Sequence, residues 1–158
     1  MDIVSIEIGI GLLLLFVVPV IYAITNQSRK EKKTVKKVED LCKSKSIKLN
    51  ETGIFQALFI GIDEISGYLV TSSVPVKENQ IELFALSSIN KVQMIKELAP
   101  KTSRTKTEVI EKVAIELQFK SKETPTHQIV FFDEQVGTDA HQSSHEVSKW
   151  VKLIEKHL

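Results

Sequence analysis

An apolar run from Ile8 to Ile24, in which none of the 17 residues is charged, constrains this chain more than any other feature. A helix that crosses a bilayer needs about 20 mostly apolar residues, and Ile3, Val4 and Thr25 extend the run towards that length. The sequence therefore predicts one N-terminal transmembrane helix. The residues that mark the predicted span are Ile8, Leu12, Leu15, Pro19 and Ile24.

The charges on the two sides of this run predict its orientation. Residues 1–28 contain Asp2 and Glu7 as their only charged side chains, whereas residues 29–48 contain nine basic and three acidic ones. Because Lys and Arg stay on the cytoplasmic side of a membrane, the N-terminus is predicted outside and the C-terminal part in the cytoplasm. The single cysteine, Cys42, excludes an internal disulfide bond and fits a reducing compartment.

A basic segment follows the apolar run, and Val35, Val38, Leu41 and Cys42 recur in it at helical spacing, so that the helix is predicted to continue to about Lys43. Its cations either fix the membrane topology or also bind anionic headgroups, at about 1 kcal/mol each. No aromatic residue interleaves them, which argues against nucleic acid as a partner. The candidate lipid contacts are Arg29, Lys30, Lys32, Lys33, Lys36 and Lys37, with Lys101, Arg104 and Lys106 in a later polar loop.

The predicted organisation is a membrane anchor over residues 1–27, a basic helical stalk over residues 28–45 and one globular domain over residues 46–158. Within the domain, β-prone runs separated by turn residues predict about six strands in hairpin order. The clearest run is 111–119, in which apolar and polar residues alternate at period two, as in a half-buried antiparallel strand. The other predicted strands are 55–62, 68–72, 81–86, 89–95 and 128–133.

A C-terminal amphipathic helix follows the strands. Ser144 or Ser143 can cap it, and Ser143 with Glu146 has the spacing of a capping box, so the helix is predicted to begin there. Its predicted core stripe contains Val147, Trp150, Val151 and Ile154. Strands followed by a terminal helix predict an α+β fold, an antiparallel roll or partial barrel with the helix covering one side.

This pattern resembles the bacterial pleckstrin-homology-like (PH-like) domains, small antiparallel rolls capped by a C-terminal helix. The resemblance is in the segments FIGIDEISGYL, LFALSSINKVQM and VIEKVAIELQF and in the last helix with Trp150. It implies a binding or scaffolding role at the bacterial inner membrane, for a protein partner or for lipids. In lipid-binding members of the wider superfamily, basic residues surround the first hairpin, whereas this chain has Asp63 and Glu64 there.

No catalytic signature is present, because the chain contains no nucleophile elbow, no phosphate-binding glycine loop and no CxxC pair. His141 and His145 lie four residues apart and would share a helical face, but the sequence places no third strong ligand beside them. Neither a metal nor a cofactor is therefore predicted. The sequence favours a non-enzymatic module that docks an unidentified protein partner at the membrane, with binding of anionic lipid as the alternative.

Overall fold

A computed structural model describes residues 3–76, 80–99, 109–121, 123–135, 137 and 139–158, with the backbone alone at 3–12, 14, 24, 27 and 28. The chain divides into two compact units, residues 1–36 and residues 37–158. The second unit contains two antiparallel sheets and a C-terminal helix.

The first helix, α1 (Ile3–Lys43), includes Pro19 and runs through both the apolar run and the basic segment. In the part of the chain that the structure describes, no helix is both long enough and apolar enough to span a membrane. The predicted transmembrane anchor is therefore wrong, as are the single-pass topology and the inner-membrane localisation derived from it.

The described side chains of the apolar run are exposed within the first unit. Of the residues that mark the predicted span, Leu15 and Pro19 are exposed, whereas Ile8, Leu12 and Ile24 lie among those with only the backbone described. The exposed large apolar side chains of this unit are Leu13, Leu15, Phe16, Val17, Val18, Val20, Ile21 and Tyr22.

The last turns of α1 belong to the second unit and end at Lys43, where the sequence predicts the end of the helix. Val38 and Cys42 are buried there, and the Lys37 ammonium donates a hydrogen bond to the Val76 carbonyl oxygen at 2.9 Å. Burial raises the pKa of the Cys42 thiol, and the opposing field of Lys45 does not cancel this effect. Cys42 is thus a packed thiol rather than an activated one.

The first sheet has four strands in chain order: β1 (Glu51–Phe55), β2 (Leu58–Asp63), β3 (Tyr68–Ser73) and β4 (Ile81–Ala85). The predicted hairpin between β2 and β3 is present. The prediction misses β1 because it assigns residues 50–53 to a loop and starts the first strand at Phe55. In the structure, Gln56 and Ala57 form a tight connection between β1 and β2, and Gln56 has a positive φ of 52°.

The second sheet has three strands: β5 (Ile89–Leu98), β6 (Ile110–Phe119) and β7 (His127–Asp133). A 3-10 turn at Leu86–Ser88 separates β4 from β5, where the sequence predicts an interruption. In the pairing of β6 with β7, Val113 is opposite Phe132 but Ala114 is opposite Val130. Phe131 is the extra residue of a β-bulge, which allows Phe131 and Phe132 both to be buried.

The C-terminal helix, α2 (Ala140–Glu155), begins earlier than predicted. Asp139 is its N-cap and accepts a hydrogen bond from the Gln142 backbone N–H at 2.8 Å. The capping box predicted at Ser143 is wrong, because the Ser143 hydroxyl donates to the Asp139 carbonyl oxygen from inside the first turn. The carboxylate cap satisfies one of the free N–H groups at the helix start.

One hydrophobic core joins both sheets to α2. Val147, Trp150 and Ile154 of α2 are buried in it, and Val151 packs against it as a partly buried residue. The predicted fold class is wrong in its membrane helix and in its single roll of about six strands. The described residues instead form seven strands in two separate antiparallel sheets, followed by the C-terminal helix.

The turn between β2 and β3 contains a glycine whose conformation limits substitution. Gly67 has a φ of +70°, and a Cβ atom at this position would meet no neighbour within 4 Å. Gly67→Ala therefore isolates the backbone cost of the left-handed conformation, about 1–2 kcal/mol of unfolding free energy. Gly67→Asn should cost less, because Asn tolerates this region. Chemical denaturation measures both, and equal losses would contradict the explanation.

Candidate binding cleft

A cleft of about 520 Å³ lies between the second sheet and one end of the first sheet. We define the β7 cleft by the residues that line it. They come from the β1–β2 connection, the end of β3, the start of β4 and most of β7. These residues are Phe55, Gln56, Ala57, Leu58, Thr71, Ser72, Ser73, Gln80, Glu82, His127, Gln128, Ile129, Val130, Phe131 and Asp133.

The main structural feature of the cleft is the free edge of β7. This strand is at the end of the order β5-β6-β7 and pairs only with β6 among the described strands. In an antiparallel ladder, alternate residues of an edge strand direct their N–H and C=O groups away from the sheet. The free edge is therefore a template on which another extended chain can form backbone hydrogen bonds.

The middle of the cleft is apolar. The Phe55 ring lies against the buried Phe131 ring, with 5.0 Å between the ring centroids. On the neighbouring position of β7, the Val130 side chain is 37% exposed. Leu58, which is partly buried, adds to the same lining. Val130 is exposed and Phe131 is buried because neighbouring residues of a strand point to opposite faces. Because Phe131 is the extra residue of the bulge, Phe132 is buried as well.

One end of the cleft contains a carboxylate with two neighbours. The Glu82 Oε2 atom accepts a hydrogen bond from the Thr71 hydroxyl at 3.3 Å and lies 3.2 Å from His127 Nε2. The His127 ring also packs against Phe84, with 4.7 Å between the ring centroids. These contacts join β4 of the first sheet to β7 of the second and fix the position of the Glu82 carboxylate.

The other end of the cleft contains Asp133, the last residue of β7. Its Oδ1 atom accepts a hydrogen bond from the Gln135 backbone N–H at 2.9 Å, which orients the carboxylate at the strand end. Among the described residues that line the cleft, Glu82 and Asp133 are acidic, His127 is the one histidine, and none is Lys or Arg. Each end of the cleft therefore contains one carboxylate.

A second cavity, of about 610 Å³, lies on the other side of His127. Phe84, Phe119 and Pro125 provide its apolar lining, and several Ser and Thr hydroxyl groups surround them. Its one described cation, Lys120, donates a hydrogen bond to the Ser87 carbonyl oxygen at 2.8 Å. This hydrogen bond to a neutral carbonyl orients the ammonium group and leaves its charge in place.

The predicted lipid contacts fall in two parts of the chain. Arg29, Lys30, Lys32, Lys33, Lys36 and Lys37 are exposed along α1. Lys101, Arg104 and Lys106 lie outside the described residues, so binding of anionic lipid by these residues stays a prediction.

The acidic turn of the first predicted hairpin has a structural role that the sequence does not show. The Asp63 side chain is only 1% exposed. One of its oxygens accepts hydrogen bonds from the Ile65 and Ser66 N–H groups at 3.0 and 2.9 Å, and the other accepts one from the Lys48 N–H at 2.8 Å. Asp63 therefore joins its own turn to the segment that follows α1.

His141 and His145 are exposed on the first two turns of α2. Among the residues that the structure describes, no group of three or more His, Cys, Asp or Glu side chains is arranged to hold a metal ion. The two histidines therefore remain a pair without a third ligand in the described structure.

Comparison of the chain with protein-family models, with curated proteins and with solved structures finds no match in any of the three. The functional assignment therefore depends on the geometry of the β7 cleft.

The sequence does not predict that the residues of the β7 cleft lie together. His127 comes directly before the predicted strand 128–133, and Asp133 is the last residue of that strand. Considered alone, each is interpreted as a surface or structural residue. Residues 129–132 are all apolar, so the sequence shows no period-two alternation there and does not indicate the bulge. The local sequence does not show which strand lies at the edge of the sheet. It also does not show that Glu82 contacts His127, because both facts depend on the order of the strands.

Proposed function

We propose that residues 37–158 form a non-enzymatic binding module that takes an extended segment of a protein partner by strand addition to β7. The observation that carries the proposal is the free edge of β7 within a cleft large enough for side chains. Strand addition uses backbone hydrogen bonds for affinity and pockets beside the edge for selectivity. The resemblance to PH-like domains is part of the proposal, since it also implies binding or scaffolding.

Two features make the β7 edge a better docking surface than an arbitrary strand edge. The first is the apolar lining at Phe55 and Val130, where side chains of an added strand can be buried. The second is rigidity, because Phe131 anchors β7 in the core and the contacts of Glu82 tie the cleft walls together. A preorganised site binds more tightly because less conformational entropy is lost on association.

The polar groups at one end of the cleft hold one another in place. Here the Thr71 hydroxyl donates to the Glu82 carboxylate, and His127 pairs with that same carboxylate oxygen. The imidazole is thus placed to hold the carboxylate.

Peptide selection on the purified full-length chain tests the proposal. The probes are random displayed peptides of about 12 residues, which is long enough to cover the seven residues of β7. Val130→Asp places a charge in the apolar part of the cleft and should weaken a selected peptide about tenfold or more, because it damages a central contact. Met94→Asp is the matched control, since Met94 is 36% exposed on the opposite edge strand, β5.

The expected result is a large loss of binding for Val130→Asp and a change of less than about twofold for Met94→Asp. Loss of binding for Met94→Asp alone would place docking at β5 and α2 and overturn the β7 assignment. Failure to select any peptide, with retention of the chain on vesicles of phosphatidylserine and phosphatidylcholine, would overturn the proposal in favour of lipid binding.

A further inference from the structure

The positions of the charged residues in the β7 cleft indicate which chemical class of peptide it binds. The inference drawn from them rests on the proposed function. The carboxylates of the cleft, Glu82 and Asp133, lie at opposite ends of β7, because Glu82 contacts His127 at the first position and Asp133 is the last. Positions 127 and 133 are six residue steps apart, which corresponds to about 20 Å at the rise of an extended chain. The apolar lining around Val130 lies between them.

We infer that the partner segment is a basic extended peptide, with a Lys or Arg near each end of about six or seven residues and an apolar side chain between them. Each cation would face one carboxylate while the apolar side chain contacts Phe55 and Val130. Complementary charge selects partners and fixes register more than it adds affinity. The distance between the two carboxylates therefore determines the spacing of the two cations in the partner segment.

Three observations favour a cation over an anion or a neutral side chain. None of the described residues that line the cleft is Lys or Arg, and the Lys112 ammonium, which donates to the lining residue Gln128 at 2.8 Å, is paired with Glu97 at 3.2 Å. The Glu82 side chain remains about half exposed although it contacts Thr71 and His127, so that a ligand can reach it. Asp133 is held by the Gln135 N–H at the strand end, where an added strand would enter or leave.

The serine hydroxyl groups at the rim of the cleft are not the groups that recognise the charge of the partner segment. Ser73 donates to the Gln80 side-chain oxygen at 2.6 Å, and the Ser72 hydroxyl donates to the Ser73 carbonyl oxygen at 3.2 Å. These groups already have partners within the chain. The two carboxylates are thus the polar groups of the lining that carry charge for recognition.

The test repeats the peptide selection on the full-length wild-type chain and on E82Q/D133N. Gln and Asn keep the size of the side chains and an acceptor oxygen for the Thr71 and Gln135 bonds, so the variant preserves the fold. The control is E123Q/E155Q, which removes the same amount of charge from exposed positions outside the cleft. Peptides chosen by the wild-type chain should be enriched in Lys and Arg relative to the unselected library.

A selected basic peptide should bind E82Q/D133N about fivefold to tenfold more weakly, as expected for the loss of two partly exposed ion pairs. It should bind E123Q/E155Q with an affinity within about twofold of wild type, and the difference in affinity between wild type and E82Q/D133N should shrink as salt is added. Enrichment of neutral or acidic peptides that still lose binding with Val130→Asp would overturn the charge inference and leave strand addition intact. Selection of no peptide would overturn both.

Discussion

Phe131→Ala should destabilise the chain by about 3–5 kcal/mol, the range for truncation of a buried aromatic side chain. Phe131 is 1% exposed and belongs to the core that joins both sheets to α2. Its ring also supports Phe55, with 5.0 Å between the centroids, so that the truncation leaves the Phe55 ring without full packing. The free energy of unfolding, obtained by denaturant titration of the full-length chain, measures the loss.

The matched control for this prediction is the preceding residue. Val130 lies on the same strand but is 37% exposed, so Val130→Ala should change the free energy of unfolding by no more than about 0.5 kcal/mol. Equal losses at 130 and 131 would mean that β7 does not have the alternation described above. A large loss at 130 with a small one at 131 would reverse the register of the strand and move the cleft to its other face.

The bulge at Phe131 also shows how far the sequence predicts this strand. The run QIVFFD is recognised as a strand because it is β-prone and bounded by polar residues. Its local pattern does not specify which face each residue takes, since two adjacent phenylalanines satisfy either register. Pairing with β6 decides the question, because Val113 and Ala114 are opposite Phe132 and Val130 and leave Phe131 as the extra residue. Such pairing is a long-range property.

The first strand was missed for a different physical reason. Asn50, Thr52 and Gly53 favour turns and loops when considered locally. In the structure, Glu51–Phe55 is a strand because β2 offers it an edge, with residues 51–55 opposite 58–62. Tertiary pairing therefore overrides weak local propensity. Gly53 also brings the backbone close to the Phe55 and Trp150 rings, where a Cβ atom would meet both.

The features that the sequence predicts well are those encoded locally. The alternation of β6 and the apolar stripe of α2 have strong periods, and the helix α1 ends at Lys43 where its stripe ends. The cleft is not encoded locally, because its lining comes from segments as far apart as Phe55 and Asp133. The contact between the Glu82 side chain of β4 and His127 depends on the order of the strands in space, and so does the free edge of β7.

Asp63→Ala should lower the free energy of unfolding by about 3 kcal/mol or more. The substitution leaves the N–H groups of Lys48, Ile65 and Ser66 without their carboxylate acceptor, and hydrogen bonds to a charged group contribute about 1.5–3 kcal/mol each. Glu64→Ala is the control in the same turn, since this carboxylate is partly exposed and should cost less than about 1 kcal/mol. Similar losses for both would contradict the structural role of Asp63.

The same carboxylate predicts the acid sensitivity of the fold. Burial acts to raise the pKa of Asp63, but hydrogen bonds from the Ser66 and Lys48 N–H groups, the Ser66 side chain and the Ile65 N–H outweigh it and hold the pKa below its usual value of 3.8. Because the folded-state pKa is lower than the unfolded one, the stabilisation is complete above 3.8 and is lost as the pH falls through the folded value.

Asp63→Asn separates this charge from the other acidic groups. The difference in unfolding free energy between the wild-type chain and Asp63→Asn should stay constant from about pH 7 to about pH 5 and then shrink below about pH 3.8, as the wild-type carboxylate takes up a proton. Denaturant titrations across this range measure it for the full-length chain. A difference that persists unchanged at about pH 2.5 would show that the charge of Asp63 does not stabilise the turn, and that the shape of the side chain alone holds residues 48, 65 and 66 together.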